Sequence, residues 1–337
     1  MKHFRSLLPL LAAIGFLLVI FTLWVPQNRF LTFGNLIDLA QQISVNAILA
    51  FGLTLVILIG GIDLSVGAVV ALSGVVCVSV LGMARPPAEF AGGLGAPDWV
   101  VKLIGRAAPL GGLAAGLGAA ILFGVANGLC AARTSMPPFI ITLATMLVAR
   151  GMALGFNESR PLPIGGDQAF ILSLGNARLG GWLPLPVVVM VAVFAVTAVL
   201  LHRTRFGQHL FAIGGNREAA RFTGIAIARH EVAVYALCGL CAGLAGMIHA
   251  SQLYSAEPAA GQGFELNAIA AVVVGGTSFS GGIGALPGTL LGAVIIGILD
   301  KGLNQAGVHF SIQYIVKGLV ILVAVYTDVH RRKGAVQ

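Results

Sequence analysis

Ten stretches of mostly apolar residues, at 7–25, 42–59, 66–83, 110–131, 138–156, 185–201, 232–253, 266–279, 285–299 and 312–326, set the terms on which this chain can fold. A helix needs about 20 such residues to cross a bilayer core. Lipid offers no partner to an unpaired backbone group, so runs of this kind must close their hydrogen bonds internally, as helices do. They predict an all-α membrane protein of about ten transmembrane helices, with residues 1–337 forming one membrane domain and no separate soluble one. The eighth and ninth runs are short and can be tilted, broken or merged. The first ends in Trp24-Val25-Pro26 rather than in small residues, which suits a retained span better than a cleaved signal. Composition agrees: 58% of residues are hydrophobic, against about 45–50% in soluble domains.

Only 9% of residues are charged, so their placement is informative. The segment 202–231 carries Arg203, Arg205, Arg217, Arg221 and Arg229 between two apolar runs. Lys and Arg are held back during insertion, so a basic loop marks the cytosolic face. With Lys2, Arg5, Arg133, Arg331, Arg332 and Lys333 it gives 11 inside, against 7 outside (Arg29, Arg85, Lys102, Arg106, Arg160, Arg178 and Lys301). Both termini are therefore expected in the cytosol, with the longest external loops at 84–109 and 157–184. The net charge of +8 is spread over short loops and forms no basic, aromatic-interleaved face, which argues against nucleic acid as a partner. The basic segment is Gly-punctuated and predicted helical around 217–222, with Asn216 as its N-cap, so it reads as a docking surface.

Gly60-Gly61-Ile62-Asp63-Leu64-Ser65-Val66-Gly67 interrupts the second and third runs. Asp63 can cap the following helix, and a carboxylate buried in a membrane protein is also commonly kept for function; both can hold. The same GG-x-x-x-S-x-G spacing recurs at Gly275, Gly276, Ser280 and Gly282, where coincidence in a chain with 46 glycines is the plain alternative. Gly112–Gly116, Gly239–Gly243 and Gly288–Gly292 are small-xxx-small pairs and indicate helix packing. The Cys238-x-x-Cys241 pair lies mid-run and reads as small packing residues. Arg150 and Lys317 are expected to snorkel. No chain of carboxylates crosses the spans, as ion-coupled carriers need, Asp63 being the one acidic candidate. No G-x-x-x-x-G-K-[ST] phosphate loop and no hydrolytic constellation is present, so energy must come from another chain.

GGIDLSVGAVVALSG at 60–74, PPFIITLATMLVARG at 137–151, FAIGGNREAARFTGI at 211–225 and the stretch from Glu265 to Asn304 strongly resemble the ribose-type sugar ABC importer permeases. The resemblance covers most of the chain, with the motifs in the family's order. It implies a ten-helix permease of the vitamin-B12-importer type (a type II ABC importer) in the bacterial inner membrane. Two such permeases would line one pathway, a homodimer or a pair of close paralogues. ABC ATPase subunits dock from the cytosol, and a periplasmic sugar-binding protein delivers the monosaccharide. ATP and Mg would bind the ATPase, with no cofactor in this chain and no catalytic residue. The loop carrying Gly214, Gly215, Asn216, Glu218, Ala219, Ala220 and Gly224 would supply the coupling helix. Asp63, Ser65 and Ser280 would flank the inner mouth. The weakly polar Asn46, Thr54, Asn127, Thr142 and Asn267 are candidates for the pathway, with no tight sugar site in the permease itself. Glu257 and Glu265, in a loop without Lys or Arg, are candidates for steering the binding protein. Three rivals remain: a branched-chain amino acid permease, a stand-alone secondary transporter or channel, and a non-transporting scaffold.

Overall fold

A computed structural model describes residues 2–83 and 98–333. Helices dominate: α1 (Lys2–Trp24), α2 (Phe33–Leu58), α3 (Val66–Met83), α4 (Asp98–Arg133), α5 (Pro138–Gly155), α6 (Ala169–Asn176), α7 (Leu185–Arg203), α8 (Arg205–Gly215), α9 (Arg217–Phe222), α10 (Ile227–Gln252), α11 (Phe264–Val274), α12 (Leu286–Gln305) and α13 (Phe310–Lys333). Two pairs of two-residue antiparallel strands are the only sheet among the described residues: β1 (Leu162–Pro163) with β4 (Ser255–Ala256), and β2 (Arg178–Leu179) with β3 (Leu183–Pro184). Each of the ten apolar runs falls on a helix, although the eighth, 266–279, is helical only as far as Val274. Among the described residues, seven helices are long and apolar enough to cross a membrane, and α3, α11 and α13 contribute shorter apolar stretches.

The layering follows from which runs are apolar all round and which also carry glycine. Helix α2 is buried over most of its length, with α7, α10, α11 and α12 packed around it. On one side α10 joins α2 to α3 and α4; on the other, α12 joins it to α11 and α1. In lipid, helix association rests on close packing more than on expelling water, and the small-xxx-small pairs supply the closeness. Gly239 and Gly243 of α10 lie against Ala120 of α4, Gly112 and Gly116 of α4 against Cys77 and Ser73 of α3, and Gly288 and Gly292 of α12 against Gly275 and Ala271. All three pairs therefore act within the subunit. Cys238 and Cys241 pack on Gly52 of α2, as small residues rather than a redox pair. Outer helices turn large side chains outward, among them Phe16 and Leu23 of α1 and Leu319 and Leu322 of α13.

Three expectations need correction. The segment 84–109, expected as an external loop, is helical from Asp98 onward, with Pro109 inside α4; residues 84–97 lie outside the described ones. The ninth span is a full 20 residues and ends at Gln305, which takes Asp300 into a spanning helix. Asp300 pairs with Lys317 of α13 at 2.8 Å, so a charge that reads as a helix end in the sequence is neutralised inside the bundle. Lys317 thus has a partner and does not simply snorkel, and Arg150 donates to the Pro258 and Ala260 carbonyls at 2.9 and 2.6 Å. Both cations brace the bundle.

Candidate functional site: the glycine junction and the α8–α9 segment

The two GG-x-x-x-S-x-G hairpins, more than 200 residues apart, meet at one place, and Gly214-Gly215 joins them. Gly282 donates its N–H to Leu58 O at 2.8 Å, closing the second hairpin onto the end of α2. A side chain on Gly214 would run into that same Leu58 carbonyl and the Gly282 amide. Gly60, Gly281 and Gly282 have φ of 80°, 80° and 73°, a region open to glycine and costly for other residues. The recurrence is thus a physical contact. Ser280 itself is exposed on the rim of the junction, close to Gly60.

Behind the junction lies a buried polar cluster. Asp63 is 1% exposed, and its Oδ1 accepts the Ser65 N–H at 2.9 Å and the Ser65 hydroxyl at 2.6 Å. Asn127 of α4 donates to Ser65 Oγ at 2.9 Å, and Thr142 of α5 donates to Ile62 O at 3.1 Å. Burial pushes the Asp63 carboxyl above its ordinary value, against the opposing pull of hydrogen bonds from Ser65, Cys238 and Asn127. The cap geometry is present, and the group is also fully withdrawn from water. Gly61 sits under the hydroxyl of Tyr235, itself 1% exposed. One turn before it on α10 is Glu231, whose Oε1 receives Arg217 Nη1 at 2.7 Å. Arg217 opens α9, so an ion pair fastens the exposed segment to the helix that lines the cluster.

Helix α9 is terminated at both ends by local chemistry. Asn216 Oδ1 accepts the Ala219 N–H at 2.9 Å, making it the N-cap. At the other end Gly224 (φ 83°) donates to Arg221 O at 3.0 Å and Ile225 to Ala220 O at 3.1 Å, the paired bonds of a Schellman stop. Glu218 and Ala219 are exposed, whereas Ala220 is 3% exposed and faces the bundle. Phe222, at the end of α9, is 90% exposed. The sequence carries a weak signal for it, an aromatic directly after Arg221, which it shares with Phe206 after Arg205.

The five weakly polar span residues separate into groups. Asn127 and Thr142 hold the Asp63 hairpin, and Thr54 is fully buried with its hydroxyl 2.9 Å from that of Thr289 on α12. These hydrogen bonds are all made inside the subunit, with Asn127 Oδ1 left buried without a partner. Asn46 and Asn267 instead share a cavity between α2, α10, α11 and α12. Glu257 is half-buried in the loop after α10. Glu265 is half-buried with its carboxylate turned onto the loop, accepting the Gly263 N–H at 3.1 Å and lying against Gly67. That geometry braces the loop rather than presenting a charge outward. Among the described residues no group of three or more His, Cys, Asp or Glu could hold a metal ion.

Residues 35–325 match the family described as branched-chain amino acid transport system / permease component. The chain belongs to that permease family. Relatives match the permease nearly end to end. It is 42% identical to the ribose import permease protein of Escherichia coli (strain K12), over 96% of this chain and 92% of the relative. To the ribose import permease protein of Bacillus subtilis (strain 168) it is 40% identical, over 99% and 96%. The L-arabinose transport system permease protein of Escherichia coli (strain K12) is 32% identical to it, over 96% and 91%. No solved structure matches the permease.

Proposed function

We propose that this chain is the membrane-spanning subunit of an ABC importer that moves a monosaccharide, ribose or a related sugar, from periplasm to cytosol. The observation that carries the proposal is the near-full-length identity to permeases named for ribose and L-arabinose. Both termini and the segment 202–231 face the cytosol of the bacterial inner membrane, separate ATPase subunits seat on α8–α9, a second permease copy or paralogue completes the pathway, and a periplasmic binding protein delivers the sugar. No catalysis is needed of the permease: its part is to convert ATPase closure into helix movement.

Local geometry supports this division of labour. An element that transmits a push must be stiff and fastened. Helix α9 is capped, stopped by a Schellman turn, seated through Ala220 and tied by Arg217 to Glu231. Gly214 lies in direct backbone contact with the ends of both glycine hairpins. A movement of α8–α9 is therefore delivered to α2, to the hairpin before α12 and to the buried Asp63 cluster. ATP and loaded binding protein supply the differential binding energy that a change of state requires.

The test is uptake by the permease reconstituted with ATPase and binding-protein partners, offered D-ribose, D-allose, L-arabinose and L-leucine. ATP-dependent uptake of a sugar and not of leucine is the expected result. Uptake of leucine alone would place it with the amino acid carriers. Uptake by the permease alone under an ion gradient would make it a secondary transporter.

A further inference from the structure

The permease contains a second polar place that the coupling role does not use. Between α2, α10, α11 and α12 lies a cavity of about 200 Å³. That is the room of about seven waters at about 30 Å³ each, enough for a single sugar ring. Asn46, at the middle of α2, and Asn267, in the first turns of α11, face it together with His249 and Gln252 at the end of α10 and Asp300 of α12. Such a concentration of amides is out of keeping with spans whose side chains are otherwise almost all apolar.

Three features decide what the cavity suits. First, Asn46 Oδ1 and Gln252 Nε2 are buried with no hydrogen-bond partner from the protein, one an acceptor and one a donor. Buried polar atoms are ordinarily satisfied, and a pair of opposite kinds facing one space suits a ligand whose groups both donate and accept, as hydroxyls do. Second, the permanent charges are cancelled. Asp300 is paired with Lys317 at 2.8 Å and receives Asn267 Nδ2 at 3.4 Å. No lining side chain offers a free guanidinium or ammonium, so a carboxylate would enter without a counter-ion and a neutral ligand is favoured. Third, Phe264 stands edge-on to His249, ring centroids 5.2 Å apart, and provides an apolar wall beside the polar groups. Small-molecule sites combine such a wall with a few placed polar groups.

We propose that this cavity is a weak monosaccharide site within the permease, a resting place for the neutral sugar ring on its way through the bilayer, with Asn46, Gln252 and Asn267 as its hydrogen-bonding groups. It is compatible with the sequence-based expectation that the permease has no tight sugar site, and it rests on the sugar-importer reading above. Exposed Gln42, one turn before Asn46, marks the side from which the cavity opens. The affinity is low by design of the surroundings: a few neutral hydrogen bonds, and a site on a pathway must release as readily as it binds.

The test is binding of D-ribose, D-allose and L-arabinose to the full-length permease in nanodiscs, read by ligand-observed saturation-transfer NMR, with L-leucine as the neighbouring chemistry. Saturation transfer to at least one sugar and none to leucine is expected. Asn46→Leu and Gln252→Leu are near in volume and should each weaken binding about fivefold, one neutral hydrogen bond's worth. In the assembled importer they should slow uptake while ATPase and binding-protein pull-down stay at the parental level. Asn267→Ser replaces the amide with a hydroxyl, itself a donor, and leaves the Asp300–Lys317 pair in place, so it should weaken sugar binding without loss of folded protein. Unchanged sugar binding and uptake in both leucine variants, or no sugar transfer at all in an importer that carries sugar, overturns the site and leaves the importer reading standing. Leucine transfer in place of sugar overturns both.

Discussion

If α9 is a lever, the Arg217–Glu231 pair is its fastening, and cutting it should free the lever without unfolding the bundle. Glu231 has a side chain 5% exposed, with Oε2 already unpartnered, whereas Arg217 is 52% exposed. Removing one partner of a fully buried ion pair costs about 3–5 kcal/mol; a half-exposed Arg in contact with water brings that toward the value of a surface pair, about 1 kcal/mol or less. Arg217→Met should therefore loosen α9 by about 1–2 kcal/mol, an increase of roughly tenfold in its local opening at about 1.4 kcal/mol per decade. Glu231→Gln removes the buried charge and should cost less, since a neutral amide is cheaper to bury. Hydrogen exchange of the amides in 217–225, measured in nanodiscs, reads the opening directly, and ATP-dependent uptake reads its consequence. The double variant Arg217→Met/Glu231→Leu removes both charges and should recover global stability while uptake stays low. Parental exchange and uptake in Arg217→Met would refute the fastening, and so would loosening spread evenly through α10, because the pair would then serve the bundle and not the lever.

Phe222→Ser should leave melting temperature unchanged, because a side chain 90% exposed contributes little to the fold, and should reduce ATPase co-purification as loss of an aromatic anchor does; parental pull-down would remove Phe222 from the contact. Ala219→Trp should block the ATPase in a folded permease, whereas Ala220→Trp should instead destabilise the permease itself, since only Ala219 faces outward; both variants binding ATPase and transporting normally would reduce α9 to a solvated loop. Gly214→Ala should misassemble, read as loss of monodisperse protein on size exclusion, because Leu58 O and the Gly282 amide occupy the place of a methyl group. Asp63→Asn keeps the acceptor for both Ser65 bonds and removes a buried charge. Because burial raises the Asp63 carboxyl in the fold, the native chain binds its proton more tightly than the unfolded one, so its stability contribution is complete below the ordinary carboxylate range and falls as pH rises through the native value. The variant should thus match the parent at low pH and exceed it in melting temperature at pH 8; a parent as stable as the variant at pH 8 would mean that the cluster carries the charge without cost.

The spans, the fold class and the boundaries of α9 were legible because each rests on local chemistry: apolar runs that only helices can carry through lipid, and Asn216 and Gly224 at the ends of a six-residue helix. Small-xxx-small spacing likewise announces close packing wherever it occurs. What touches what was not legible. Whether Ala219 or Ala220 faces a partner depends on how α9 sits on α10, and the repeated glycine motif gains meaning only when Leu58, Gly214 and Gly282 arrive within a hydrogen bond of one another. Asp300 shows the limit most clearly. In the sequence a carboxylate after an apolar run reads as the end of a helix, because a lone charge in lipid is costly. In the tertiary structure Lys317 comes from the next helix to cancel it, Asn267 comes from the one before, and the helix continues. Local patterns determine which segments are helices and where they lie. Charge partners and close backbone contacts are long-range, so only the packed bundle decides which polar residues are spent on the fold and which are left facing a cavity.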